Sequence, residues 1–134
     1  MNIDYFIEAK KIAEYYDERT YYLGAIGIRS DGVLVKSRNG NSFSTKTNKF
    51  IKNIHSHAEG RLIKKLNINS VIYVARITKD NCFACAKPCS GCSNIIRSRR
   101  ISKVYYTIDD DNYGLWIPRT NEEFIFKFKT FVLN

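Results

Sequence analysis

Residues 70–108 read SVIYVARITKDNCFACAKPCSGCSNIIRSRRISKVYYTI, and this stretch decides the fold class. Its first eight residues, 70–77, are rich in β-branched and aromatic side chains, the pattern of a strand buried on both faces. A loop over 78–88 follows, then a helix over 89–99 and a second strand over 103–108. All four cysteines of the chain, Cys82, Cys85, Cys89 and Cys92, fall within this loop and the helix start.

Working outward, the segment before this unit carries Ala58, Leu62 and Leu66 at four-residue intervals, which predicts a helix over 56–67. Residues 39–54 (NGNSFSTKTNKFIKNI) have no clean period and are rich in Asn, Ser, Thr and Lys, so they read as a loop. A loop of this length inside a compact domain is uncommon and often functional. Strands are expected over 21–29 and 33–38, joined at the Asp31-Gly32 pair, a hairpin signal. A first helix is expected over 3–18, with Ile3, Phe6, Ile7, Ala13 and Tyr16 near one face. Downstream, a turn over 109–113 leads to a strand over 115–118, and the tail FIFKFKTFVL reads as strand or helix. The order α-β-β-α-β-α-β-β predicts an α/β fold, an α-β-α sandwich in which helices pack on a mixed five-stranded sheet.

The 134 residues, 44% hydrophobic and 26% charged, suit a single domain spanning 1–134. No apolar run reaches the ~20 residues that span a bilayer, so no membrane partner is expected. The start MNIDYFIEAKK mixes acids and lysines where a signal peptide needs an apolar stretch, so a reducing, cytoplasmic location is expected. Tightly clustered cysteines in such a chain read as metal binding in preference to a disulfide framework. The net charge of +9 is unevenly placed: residues 21–108 carry sixteen basic and three acidic side chains, while both ends are slightly acidic. That excess points to an anionic partner, nucleotide or nucleic acid, or else to a solvated basic surface.

Two segments carry the chemistry: His57-Ala58-Glu59 at the start of the second helix, and Pro88-Cys89-Ser90-Gly91-Cys92 at the start of the third. One imidazole and two thiolates make three ligands for a tetrahedral zinc ion, leaving a fourth position open for water, as in catalytic sites. Glu59 lies two residues past the histidine, placed to act on that water without being a ligand. Other readings of the same residues remain open. Ser56 and Glu59 fit a capping box, His55 is a second imidazole, and the four cysteines form two chelating pairs that suit a closed four-thiolate site.

The H-x-E…P-C-x-x-C pairing is the signature of zinc nucleobase deaminases. With Arg38-Asn39-Gly40 and the segments KPCSGC, Ile95-Ile96 and ISKVYY, the chain resembles the cytidine deaminase superfamily over most of its length. The resemblance implies Zn2+ held by His57, Cys89 and Cys92, with Glu59 as the catalytic proton carrier. It also implies substrate contacts from Asn39, which matches a sugar-binding asparagine, and from Ala58 and Phe43. The backbone N–H of Cys89 would help hold the reacting group. Lys87 departs from the pattern, since many nucleotide-acting members carry Glu before the Pro-Cys pair.

The implied reaction is hydrolytic deamination, cytosine to uracil, although no feature of the sequence excludes adenine. The short connection over 109–113 makes the strands on either side antiparallel, because a parallel partner needs a crossover of about a dozen residues. That arrangement resembles the free-nucleoside branch. Asp109, Asp110 and Tyr113 lie in this turn, where the three carboxylates of 109–111 would repel a phosphate chain. The expected substrate is thus a free (deoxy)cytidine nucleoside or nucleotide. The alternatives are a deaminase of single-stranded DNA, RNA or tRNA, and a non-catalytic zinc-containing relative that binds nucleic acid through the basic middle segment. The resemblance leaves a homo-oligomer open.

Overall fold

The computed structural model describes residues 1–14, 22–38, 43–44, 49–50 and 58–128, with 43–44, 49–50 and 59–61 described by their backbone alone. The first helix, α1, spans Ile3–Ala13, and the strands β1 (Tyr22–Ile28), β2 (Leu34–Arg38), β3 (Phe43–Ser44) and β4 (Lys49–Phe50) follow. Then come α2 (Ala58–Ile63), β5 (Val71–Ile77), β6 (Phe83–Ala84), α3 (Ser90–Ser98), β7 (Lys103–Thr107), β8 (Asn112–Ile117) and β9 (Glu122–Lys127). The main sheet has seven strands where five were expected; its path is β2-β1-β5-β7-β8-β9, with β6 also pairing to β5. β5 and β7 are parallel and joined through α3, and every other pair is antiparallel.

The two extra strands have identifiable causes. β6 is only two residues long and is recruited by the end of β5, through Arg76↔Ala84 and Ile77↔Phe83. β9 resolves the ambiguity of the tail: Phe124 and Phe126 face Leu115 and Tyr113 across the β8 ladder, a period-two arrangement. The expected loop over 39–54 contains the β3–β4 pair, Phe43↔Phe50 and Ser44↔Lys49; the rest of that loop lies outside the described residues.

The Asp31-Gly32 turn joins β1 and β2 as expected, with Gly32 at φ +88°. β7 and β8 are antiparallel, also as expected, but β8 begins at Asn112, inside the segment read as turn. The cause is local. One Asp109 carboxylate oxygen accepts from the backbone N–H groups of Asp111 and Asn112, both at 2.8 Å, so the reversal closes over residues 109–111.

α1 is started by Asn2, whose side chain accepts from the Asp4 N–H at 3.0 Å. Its buried stripe is Phe6, Ala9 and Ala13. Ile7, expected on that stripe, is 44% exposed. The close approach of α1 to β1 explains the difference: a Cβ on Gly24 would lie 2.1 Å from the Ala9 carbonyl oxygen. The helix therefore rests on its alanines, and Ile7, about 100° further round, turns outward. Within the described residues the helix ends at Ala13, with Glu14 as its cap; Tyr16 lies outside them.

α2 is shorter than expected, yet Ala58, Leu62 and Leu66 are all buried. They share one core with Ile96 of α3, Ile72 and Val74 of β5, Val104 and Tyr106 of β7, and Trp116 of β8. α1 packs on the opposite face, where Phe6, Tyr73 and Tyr105 form an aromatic cluster and the last two rings stack at 4.7 Å. The result is the expected α-β-α sandwich, with the starts of α2 and α3 on the same side of the sheet.

Candidate active site

The start of α3 is built by the cysteine motif itself. Cys89 occupies the N-cap position in extended conformation (φ −65°, ψ 167°), and its Sγ accepts from the Cys92 N–H at 3.4 Å. The Ser93 N–H donates to the Cys89 carbonyl at 2.8 Å, closing the first helical turn, and the Ser93 hydroxyl donates to the Pro88 carbonyl at 3.3 Å. Pro88 is buried and has no N–H to leave unsatisfied at this point in the chain. Cys89 is exposed, whereas Cys92 is 1% exposed in the first turn.

The loop that delivers Cys89 is fastened at two places. Thr107, wholly buried at the end of β7, donates from Oγ1 to the Ala84 carbonyl at 2.8 Å and accepts there from the Arg76 N–H at 3.1 Å. The Thr107 carbonyl accepts from the Ala86 N–H at 2.9 Å. One threonine thus ties the loop to both β5 and β7. Further along, Lys87 Nζ lies 2.9 Å from Glu123 Oε2 of β9, and Glu123 also accepts from the Tyr106 hydroxyl. Lys87 and then Tyr106 hold the Glu123 carboxyl below its usual range. Burial, followed by the Glu123 carboxylate, pushes the Tyr106 phenol far above its own. Sequence reasoning singled out neither Thr107, Tyr106 nor Glu123. Lys87, where the sequence departs from the pattern it resembles, was the one available signal, and its partner lies 36 residues away.

The second chemical segment is carried by α2. Ala58, its first residue, is wholly buried in the core that also holds Ile96 of α3. Glu59 is the second residue of the helix and His57 is joined directly to its first. His57 and the Glu59 side chain lie outside the described residues, as do His55, Asn39 and the Phe43 side chain. Asn39 follows the last residue of β2, and Phe43 opens β3.

Of the remaining expected residues, Asp109 and Asp110 lie in the β7–β8 turn and Tyr113 lies in β8. Asp109 caps the turn, and hydrogen bonds from the Asn112 side chain and the Asp111 N–H hold its carboxyl below the usual range. Asp110 Oδ1 accepts from the Phe83 N–H at 2.8 Å, fixing β6 to the turn, and its charge raises the Cys82 thiol. Tyr113 points to the α1 face, its ring stacked on Phe126 at 5.4 Å. With Asp110, Phe83 and Phe128 it lines a cavity of about 680 Å³.

Zinc chemistry can be weighed against these residues. Two sulfur donors one helical turn apart, one exposed and one buried beneath it, suit a borderline-soft ion such as Zn2+. Among the described residues no three His, Cys, Asp or Glu side chains gather into a metal-binding group. All four cysteines are thiols. Cys89 and Cys92 need a third donor from elsewhere, and the chain position adjoining α2 holds an imidazole.

No family model matches the chain, and no curated protein matches it by sequence. By structure it is similar to the crystal structure of dCMP deaminase from the cyanophage S-TIM5 in apo form, with a TM-score of 0.51 and 20% sequence identity. The likeness covers 78% of this chain and 79% of that one. Among the described residues no helix is long and apolar enough to cross a membrane. The chain shares the fold of that structure, a mixed sheet between helices, and a Pro-Cys-x-x-Cys turn opens its α3.

Proposed function

We propose that this protein is a zinc-dependent hydrolytic deaminase that converts cytosine to uracil in a free (deoxy)cytidine nucleoside or nucleotide. The observation that carries the reading is that α2 and α3 share one core, with a chemical segment at the start of each helix. Cys89 and Cys92 open α3, and α2 begins at Ala58, between His57 and Glu59 in the chain. His57, Cys89 and Cys92 would hold the ion. A zinc ion with three protein ligands supplies a Lewis acid that makes hydroxide available near neutral pH.

Glu59 then manages the protons. It removes one from the attacking water and passes it to the ring nitrogen beside C4, as the new C–O bond forms. A second transfer, to the exocyclic amine, lets the C–N bond break and ammonia leave. The Cys89 N–H, at the helix cap, would help hold the reacting group, and Asn39 is assigned to the sugar. The antiparallel β7–β8 pair supports the monomeric substrate over a strand, as does Asp109-Asp110-Asp111 in the turn between them. The similar structure is that of a dCMP deaminase, which keeps dCMP in the panel beside the nucleosides.

The test is a substrate panel with zinc-loaded protein: cytidine, deoxycytidine, their monophosphates, adenosine, and single-stranded DNA and RNA at two salt concentrations. Ammonia and a uracil product from the monomers are expected. Strongly salt-dependent turnover of the strands with none of the monomers would transfer the assignment to a polynucleotide substrate. Product from no substrate would favour the binding-protein reading.

A further inference from the structure

The C-terminal end of α3 faces away from the cysteines and holds a second cavity, of about 590 Å³. Arg97 lies eight residues beyond Cys89, roughly 12 Å along the helix axis at about 1.5 Å per residue. Three guanidiniums line the cavity from three segments: Arg97 on α3, Arg100 in the turn after it and Arg119 in the β8–β9 turn. No carboxylate lines it. The floor is apolar, formed by Ile101, Pro118 and Ile117, with Ile68 at the rim and 53% exposed. The volume falls within the ~300–1,000 Å³ typical of ligand pockets.

We infer that this cavity is a binding site for a phosphorylated ligand, separate from the candidate active site. The charge arrangement is the first reason. Among the described residues Lys10, Lys11, Arg29, Lys36 and Lys87 each lie beside a carboxylate, and none of the three cavity arginines does. Arg100 and Arg119 make no side-chain hydrogen bond or ion pair among the described residues. Arg97 is held in place without being neutralised. It donates from Nη2 to Asn121 Oδ1 at 3.0 Å, lies 5.6 Å from the Trp116 ring centre, and Asn121 is itself anchored by the Trp116 indole N–H. Like charges converging on one cavity repel unless an anion joins them, and the planar guanidinium suits phosphate oxygens.

The backbone at Arg100 is the second reason. The Ile101 N–H donates to Ile96 and the Arg100 N–H to Arg97, the paired bonds that end a helix in a Schellman turn. Arg100 takes the left-handed position of that turn at φ +57°, where glycine is the least strained occupant. An arginine there is unfavourable for the helix end, yet it adds a guanidinium to the cavity. Of the basic residues following the cysteine motif, Arg97 and Arg100 thus line this cavity at the far end of α3 from Cys89, while Arg99 donates to the Ile63 carbonyl at 3.3 Å.

Two sources share the required chemistry: a free polyphosphate compound and the backbone of a single strand. Binding of inorganic tripolyphosphate, by calorimetry, and of a fluorescein-labelled oligothymidylate, by anisotropy, separates them. The variants are Arg100→Gly, Arg119→Ser and, as a charge-matched control distant from the cavity, Lys79→Ser. At least one probe should bind the wild type, and each arginine variant should weaken it about tenfold. Lys79→Ser should leave it nearly unchanged. Arg100→Gly should at the same time hold or raise Tm, a divergence that a purely structural role for Arg100 cannot produce. Arginine-dependent binding of tripolyphosphate assigns a free polyphosphate, and such binding of the oligonucleotide alone assigns a strand. No binding of either probe, or equal weakening by Lys79→Ser, would overturn the inference.

Discussion

Gly114 lies opposite Tyr106 in the β7–β8 ladder, and a Cβ there would sit 2.1 Å from the tyrosine ring. The ring crosses that space to reach Glu123, so the missing side chain is what lets β7, β9 and Lys87 be linked. Gly114→Ala should destabilise the fold by about 1–3 kcal/mol, since neither strand can retreat from an overpacked contact; urea unfolding measures it. Asp109 carries a pH signature of a different kind. Its carboxyl is held below the ordinary value of 3.8, so the turn it caps is strengthened by ionisation. That contribution is complete above about pH 4 and fades as the pH falls through the lowered value. The stability difference between wild type and Asp109→Asn should be constant from neutral pH down to about 4 and shrink below it. The residues of the motif were legible because imidazole, thiol and carboxylate at fixed spacing are chemically unusual. Tyr106, Thr107 and Glu123 were not, because each is a common residue whose role comes from a partner 17 to 36 residues away.

At the scale of elements, the sequence was most readable where local signals agreed. The β5–loop–α3–β7 unit, the Asp31-Gly32 hairpin and the antiparallel β7–β8 pair are all as expected from apolar patterning, turn residues and connection length. β6 and β9 escaped for physical reasons. β6 is two residues held by β5, and Phe124-Ile125-Phe126 on an edge strand is exposed on both faces, so its pattern lacks a polar side. The loop before α3 depends on the Thr107 hydroxyl, so Thr107→Val, which keeps the shape and deletes the bonds, should cost about 1–3 kcal/mol by urea unfolding. The metal assignment has an equally local test. Zinc content per chain should be lost in Cys89→Ala and retained in Cys82→Ser, because Cys82 lies on the β6 side of the loop beside Asp110. Retention in Cys89→Ala would remove the thiolate from the ligand set.

For the whole molecule, the uneven charge visible in the sequence divides once the fold is known. Arg97 and Arg100 line a cavity at one end of α3, while Cys89 and Cys92 lie at the other. Charge counting alone could not make that separation, because these four residues lie within twelve residues of chain. The central claim is the proposed deamination, which draws on the core shared by α2 and α3 and on the Cys89 cap. Its most direct test compares ammonia release from deoxycytidine, cytidine and their monophosphates by zinc-loaded wild type and Glu59→Gln at equal zinc content. The wild type should release ammonia in step with uracil product, and Glu59→Gln should be slower by about 10²–10⁴ or more. No ammonia from any of these substrates, or a Glu59→Gln rate within about tenfold of the wild type, would contradict the account.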